Sequence, residues 1–422
     1  MREKYPVTMA QQSLGKLSVD VTSKLGFLPI TNAKVSIKKS NDPSKTLEEL
    51  TTDESGQTTI VDLPAPNVNL SLEPGKIQPY ADYTLEIVAE NFDTTVIEGC
   101  QILADSTALQ KVDMISKPGQ PGKIDVVSIE PHTLYGEYAA KIPETEVKPP
   151  TKIGDDIIKL EKPVVPEFIV VHDGGPYDAS AKNYYIEFKD YIKNVASSEI
   201  YSTWPDSTIT ANILAILSFT LNRVYTEWYR AKGKNFTITS STAYDHKWMY
   251  GRNIYSNISR LVDQVFVNYL SRPGVKQPIF TQYCDGVQVE CPNWMTQWGS
   301  KNLGDKGLSP IQILRSFYGP SMYINTAEKV SGIPSSWPGY ILQVGSTGKN
   351  VKIIQNQLNA ISNNYPAIPK LKVDGVYGPK TAATVKKFQE VFRMPVSGKV
   401  DYPTWYRISD IYVAVTRLAE LQ

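Results

Sequence analysis

The stretch from Asn183 to Tyr229, NYYIEFKDYIKNVASSEIYSTWPDSTITANILAILSFTLNRVYTEWY, puts a carboxylate where an apolar side chain is due. Phe188, Ile192, Val195 and Glu199 follow at spacings of four, three and four, so they share one face of a short helix and the glutamate continues its apolar stripe. Pro205 suits the first turn of a second helix, along which Ile209, Ile213, Leu217, Leu221, Val224 and Trp228 recur at helical spacing. Such a chain must build a core around two adjoining helices with an acid near the turn between them. Partial burial and the negative end of the helix dipole both disfavour ionisation, which makes Glu199 a candidate proton donor near neutral pH. Pairing with a lysine or a hidden backbone amide would explain the same position without any chemistry.

A length of 422 residues allows about two to four domains, each able to bury a core. The net charge of +1 points to neither nucleic acid nor an anionic membrane as the main partner. The first residues, MREKYPVTMAQQSLGKL, lack the apolar core of a secretory signal, so synthesis without a signal peptide is expected. Cys100, Cys284 and Cys291 are too few for a disulfide framework. Cys284 and Cys291 could pair, or bind zinc with Asp245 or His246, although their spacing is not that of a specific zinc signature.

Residues 1–116 read as an antiparallel β-sandwich, from short alternating segments such as KLSVDV, AKVSIKK and DYTLEIVAE, with turns at Asn41 to Pro43 and Asp53 to Gly56. Residues 117–165 read as linker and arm. Ser116 to Lys123, SKPGQPGK, can neither continue a helix nor join a central strand, and is a candidate cleavage site. Residues 166–335 form the mixed α/β region that contains the two helices. There, the strand ending in His172 also suits the start of a zinc amidase, which would need two further ligands from a chain with three histidines. Asp206 is the nearest second carboxylate to Glu199, at a helix start where acids are common for local reasons. From residue 340 to 422 the composition changes again. Val351, Ile354 and Leu358 line one helix face, Val385 and Phe388 another, and glycines permit the turn Asp374-Gly-Val-Tyr-Gly378.

Three stretches resemble known families. PITNAKVSI followed by TTDESGQTTI resembles the prealbumin-like, carboxypeptidase-regulatory sandwich, which implies a fold and no chemistry. Tyr191 to Glu199, with Trp204 and ANILAI, resembles the signature of the stage II sporulation protein D family of lytic transglycosylases. That resemblance makes Glu199 the catalytic acid and base and puts Asp285 and Gly286 beside the cleft. Leu217 stands where the family carries an arginine, and Arg223 lies on another helix face. LQVGSTGKNV, VDGVYG, TAATVKKFQ and VDYPTW resemble the three-helix peptidoglycan-binding module, with Asp374, Tyr377 and Thr381 as its expected glycan contacts.

The expected fold class is thus multidomain α+β: sandwich, catalytic α/β domain and C-terminal three-helix module. This order is similar to the spore cortex-lytic enzymes. It implies a mother-cell product laid down in the cortex and coat region of the spore, acting on cortex peptidoglycan, and activated by a subtilisin-like protease. No cofactor and no metal are implied. The alternatives are a hydrolytic muramidase or glucosaminidase, a zinc amidase, and a cortex-binding protein without catalysis.

Overall fold

The structure is a computed structural model and describes residues 13–24, 28–117, 123–148, 152–153, 156–157, 162–330 and 337–417. Eight strands open the chain: β1 (Ser13–Ser23), β2 (Lys34–Lys39), β3 (Asp42–Thr51), β4 (Val61–Ala65), β5 (Tyr80–Val88), β6 (Thr94–Leu103), β7 (Thr107–Met114) and β8 (Ile124–Ser128). One sheet runs β3-β2-β5-β6-β8, and β4, β1 and β7 adjoin in the other. Alternation sets the sandwich core, with Val35, Ile37, Tyr83, Leu85 and Ile87 all fully buried. The expected purely antiparallel pairing is corrected at two places, since β1 pairs with β7 and β6 with β8 in parallel. β3 shows no alternation because it is an exposed, charged edge strand. Residues 118–122 of the candidate cleavage site lie outside the described residues, but β8 follows them, so the sheet continues past Ser116.

The middle region is joined to the sandwich by main-chain pairing. Ile254–Tyr255 adds to the edge of β7, opposite Leu109 and Ala108. The Asn253 amide both accepts from the Gln101 N–H and donates to its carbonyl, each at 3.0 Å, and the Trp204 indole donates to the Ser71 carbonyl at 2.9 Å. Behind this seam, Phe168–His172 pairs with Asn183–Glu187 on one side and Ile238–Thr239 on the other. Helix α1 (Phe188–Glu199) leaves that sheet directly, and α2 (Asp206–Tyr225) packs beside it. Every residue of α1 except Asp190 is buried, which makes it the central element of the region.

Helices α3 (Ser256–Val265), α4 (Gln297–Asp305) and α5 (Pro310–Tyr318) surround α2. The C-terminal part carries α6 (Lys349–Asn364), α7 (Pro379–Val391) and α8 (Tyr402–Arg417), with Val351, Ile354, Leu358, Val385 and Phe388 fully buried as their spacing predicts. This part rests on the middle region: Lys189 of α1 pairs with Asp410 of α8, and the Phe266 and Tyr406 rings meet edge to face at 5.1 Å. The described residues thus form a mixed α+β chain with eight α-helices, none of them long and apolar enough to cross a membrane.

Candidate active site

The last turn of α1 leaves carbonyls without helical partners, and three other segments close on them. Arg252 Nε donates to the Ser197 carbonyl at 3.1 Å, the Thr133 N–H to Ser198 at 3.1 Å and the Gln297 amide to Glu199 at 3.0 Å. His132 Nε2 lies 3.3 Å from the Ile200 carbonyl. The backbone at Glu199 is therefore fixed from several sides, with the guanidinium of Arg252 at the negative end of the helix. Neither Arg252 nor Thr133 is marked by any periodicity in the sequence.

The Glu199 side chain is 4 % exposed. Its Oε1 accepts the Lys247 N–H at 2.7 Å, and its Oε2 accepts the Tyr283 hydroxyl. Burial pushes the carboxyl above its usual range, against the opposing field of Lys141 and the hydrogen bonds from Tyr283 and Lys247. The acid opens on a cleft whose walls include Tyr138, Lys141, Thr242, Tyr283, Asp285 and Gln297. A buried carboxyl in a cleft, biased by burial toward its protonated form, can act as a general acid, and its anion as a base.

The half-buried Lys141 comes from the stretch read as a connection. Its ammonium donates to the Asp245 carbonyl and lies 5.1 Å from the centre of the Phe219 ring and 5.2 Å from that of Tyr283. The arm that carries it is tied across the region. The Ile142 N–H donates to Ala243 O at 2.7 Å and the Glu144 N–H to Gln282 Oε1 at 2.8 Å, while Arg272 Nε donates to Glu146 at 2.8 Å. Leu217 is fully buried and takes no part in the site. Arg223 is buried as well, and bridges Asp245 and Glu144 through bonds of 2.8 and 2.6 Å. It thereby anchors the arm, a role that its helix face alone does not suggest.

Asp285 lines the cleft, but its carboxylate accepts the N–H groups of Val287, Gln288 and Val289 and so holds the following loop. Gly286 has φ +79°, and a Cβ there would lie 2.5 Å from Thr296 Cβ, so its place in the turn explains it. Cys284 and Cys291 form a disulfide across the same loop, which uses both thiolates. His172 sits 2.8 Å from Asn183 Oδ1 and stacks on Phe236, while His246 sits 3.0 Å from the Tyr191 hydroxyl. Among the described residues, no three His, Cys, Asp or Glu side chains converge as metal ligands would. Asp206, at the start of α2, pairs with Arg260 at 2.6 Å.

In the C-terminal part, Tyr377 is fully buried, with its hydroxyl donating to Gly398 O at 3.0 Å, and Thr381 is buried beneath the turn. Asp374 is exposed, and its Oδ1 accepts from Val376 N–H and the Gln355 amide, both at 2.9 Å. Tyr377 and Thr381 are therefore framework residues. Besides Asp374, the apolar side chains Tyr340, Val344 and Val376 are exposed in this part.

The Tyr283 hydroxyl bond favours the ionised form of Glu199, so Tyr283→Phe is expected to raise the carboxyl's pKa further. If Glu199 acts as an acid, activity falls as rising pH removes its proton. The alkaline limb of the pH profile then moves to higher pH in the variant, and the rate at the optimum falls about tenfold. A limb that stays in place or moves to lower pH in a pH–rate profile would contradict this coupling.

Residues 347–408 match the family model described as a putative peptidoglycan binding domain. No curated protein matches the chain. Among solved structures, the minor pilin GBS52 of the Gram-positive pathogen Streptococcus agalactiae is 14 % identical, with a TM-score of 0.19 over 26 % of this chain and 48 % of that one. The Bacillus anthracis TIE protein is 14 % identical, with a TM-score of 0.18 over 25 % of this chain and 17 % of that one. The chain thus spans less than half the length of either structure. A peptidoglycan-binding domain at the C-terminal end supports a cell-wall-binding protein.

Proposed function

We propose that the chain is a spore cortex-lytic enzyme, a lytic transglycosylase that cleaves between N-acetylmuramic acid and N-acetylglucosamine. The observation that carries this reading is the Glu199 carboxyl, buried at the floor of a cleft and biased toward its protonated form, in a chain that also has a peptidoglycan-binding domain. Protonated Glu199 donates to the glycosidic oxygen as the C1–O bond breaks and positive charge develops at C1. The resulting carboxylate, steadied by Tyr283 and the Lys247 amide, takes the proton from the sugar's C6 hydroxyl. O6 then bonds to C1, which closes a 1,6-anhydro ring, restores the acid and consumes no water.

A hydrolase working through paired carboxylates would need a second free one near Glu199. Asp285 is occupied by three backbone N–H groups and Asp206 by Arg260, which favours the single-acid route. The same reading includes deposition in the cortex and coat region of the spore and activation by a subtilisin-like protease cutting between Ser116 and Lys123. β8 and the seam at Ile254–Tyr255 would keep the sandwich bound after such a cut, so dilution alone would not release it. The test of this reading is the chemistry of the sugar end left by cleavage, anhydro or reducing.

A further inference from the structure

The stretch from Thr133 to Ile142 runs along the Glu199 cleft as a wall that is tied down along its length. The Thr133 hydroxyl donates to the Ser198 carbonyl at 3.1 Å, the Thr242 hydroxyl to the Ala139 carbonyl at 2.9 Å, and the Ile142 N–H to the Ala243 carbonyl at 2.7 Å. On this wall stands an aromatic ring to which the single-acid chemistry gives no task, that of Tyr138. Its hydroxyl donates to the Pro131 carbonyl at 2.6 Å, and the Lys247 ammonium lies 5.2 Å from the ring centre. Gly136 makes room for the ring, since a Cβ there would come within 2.9 Å of Tyr138 Cε2. The ring is thus fixed in place yet partly exposed, and Ala139 and Ala140 beside it are small and exposed. Lys247 also links the ring to the acid, because its own N–H is the one that Glu199 Oε1 accepts at 2.7 Å.

We propose that Tyr138 is a stacking platform for a sugar ring of the glycan strand, which makes the arm part of the substrate site. The proposal rests on the Glu199 cleft being where the glycan is cut. A pyranose carries C–H groups on its faces and hydroxyls around its rim. A flat, preset aromatic surface therefore gains apolar contact with it and loses little freedom on binding. Bound substrate and transition state make such a contact alike, so it governs binding and not the chemical step. A ring that only braced the wall would behave otherwise: its loss would disturb Lys247 and, through the Lys247 N–H, the protonation of Glu199.

The test uses the full-length chain, both uncut and cut between Ser116 and Lys123. The probe is a soluble, peptide-free tetrasaccharide of alternating N-acetylglucosamine and N-acetylmuramic acid. With Glu199→Gln in the background, the probe is expected to slow hydrogen exchange in residues 136–142 in at least one form. Tyr138→Ala is expected to weaken its binding about tenfold, while Tyr138→Phe and Tyr138→Trp, which keep a ring, stay within about threefold. The peptidoglycan-binding domain is the same in every variant, so the difference reports the cleft. With Glu199 intact, Tyr138→Ala is expected to raise KM about tenfold and to leave kcat and the alkaline limb of the pH profile in place. If Tyr138→Ala does not fold, Tyr138→Leu, which fills the space without a flat ring, replaces it. No protection in either form would overturn the platform, as would a folded ring-less variant that binds like its parent. A lower kcat with a displaced alkaline limb and an unchanged KM would make the ring a brace and overturn it too. If the probe protects residues 136–142 and binding falls with the ring, yet Glu199→Gln cleaves like wild type, the platform stands and the role of Glu199 fails.

Discussion

Glu199→Gln is expected to abolish release of soluble glycan from cortex, by about a thousandfold or more, while leaving the fold intact. Glutamine keeps the shape of the side chain. Its oxygen can accept the Lys247 N–H and its amide can donate to the Tyr283 oxygen, so neither partner is left bare. What it cannot do is give up a proton to the leaving oxygen. Stability supplies the control. Because the folded carboxyl holds its proton above the unfolded range, its contribution is fully present at acid pH and is lost as pH rises through the folded value. The variant does not titrate there, so it should melt like wild type in acid and no lower at neutral pH. Near-wild-type turnover by a folded Glu199→Gln protein would remove Glu199 from the chemistry.

Asp245→Ala is expected to produce the largest loss of stability of any single change near the site. The carboxylate is fully buried and accepts from Arg223 Nε at 2.8 Å, the Tyr229 hydroxyl at 2.7 Å, and the N–H and hydroxyl of Thr239 at 2.9 and 2.7 Å. Alanine leaves a buried guanidinium with Glu144 as its one carboxylate partner and strips the acceptor from three other donors. Breaking a buried pair in this way costs about 3–5 kcal/mol. Arg223 also anchors the arm through Glu144, so the damage should spread. Hydrogen exchange should rise first in residues 141–146 and in the second half of α2, and the denaturation midpoint should fall. An unchanged midpoint would show that the network is not what holds this region together.

The acid was legible because helical periodicity is a short-range signal: Phe188, Ile192 and Val195 define a buried face and Glu199 falls on it. Its surroundings were not, since they are assembled from distant segments. Lys141 lies in a proline- and lysine-rich stretch whose composition suggests a connection, and only tertiary pairing to Ala243, Gln282 and Arg223 brings it to the cleft. Tyr283 is one aromatic residue in a short strand, with no spacing to mark its hydroxyl. Tyr377 and Thr381 looked available because they flank a glycine turn, yet the tyrosine hydroxyl finds Gly398 O and its ring can be buried. In the sandwich, strands with one buried face were readable, whereas β3 is polar on both sides and depends on β2 for its strand form.

The central claim is that one carboxyl cleaves the glycan without water, and the new sugar end records whether it did. Purified cortex, digested with protein cut between Ser116 and Lys123 and analysed by mass spectrometry, should yield muropeptides ending in 1,6-anhydro-N-acetylmuramic acid. Each should be one water lighter than its hydrolytic counterpart, with no label gained from heavy-oxygen water, and none should form with Glu199→Gln. Reducing ends carrying solvent oxygen, formed in a Glu199-dependent way, would contradict the account and make the chain a hydrolase.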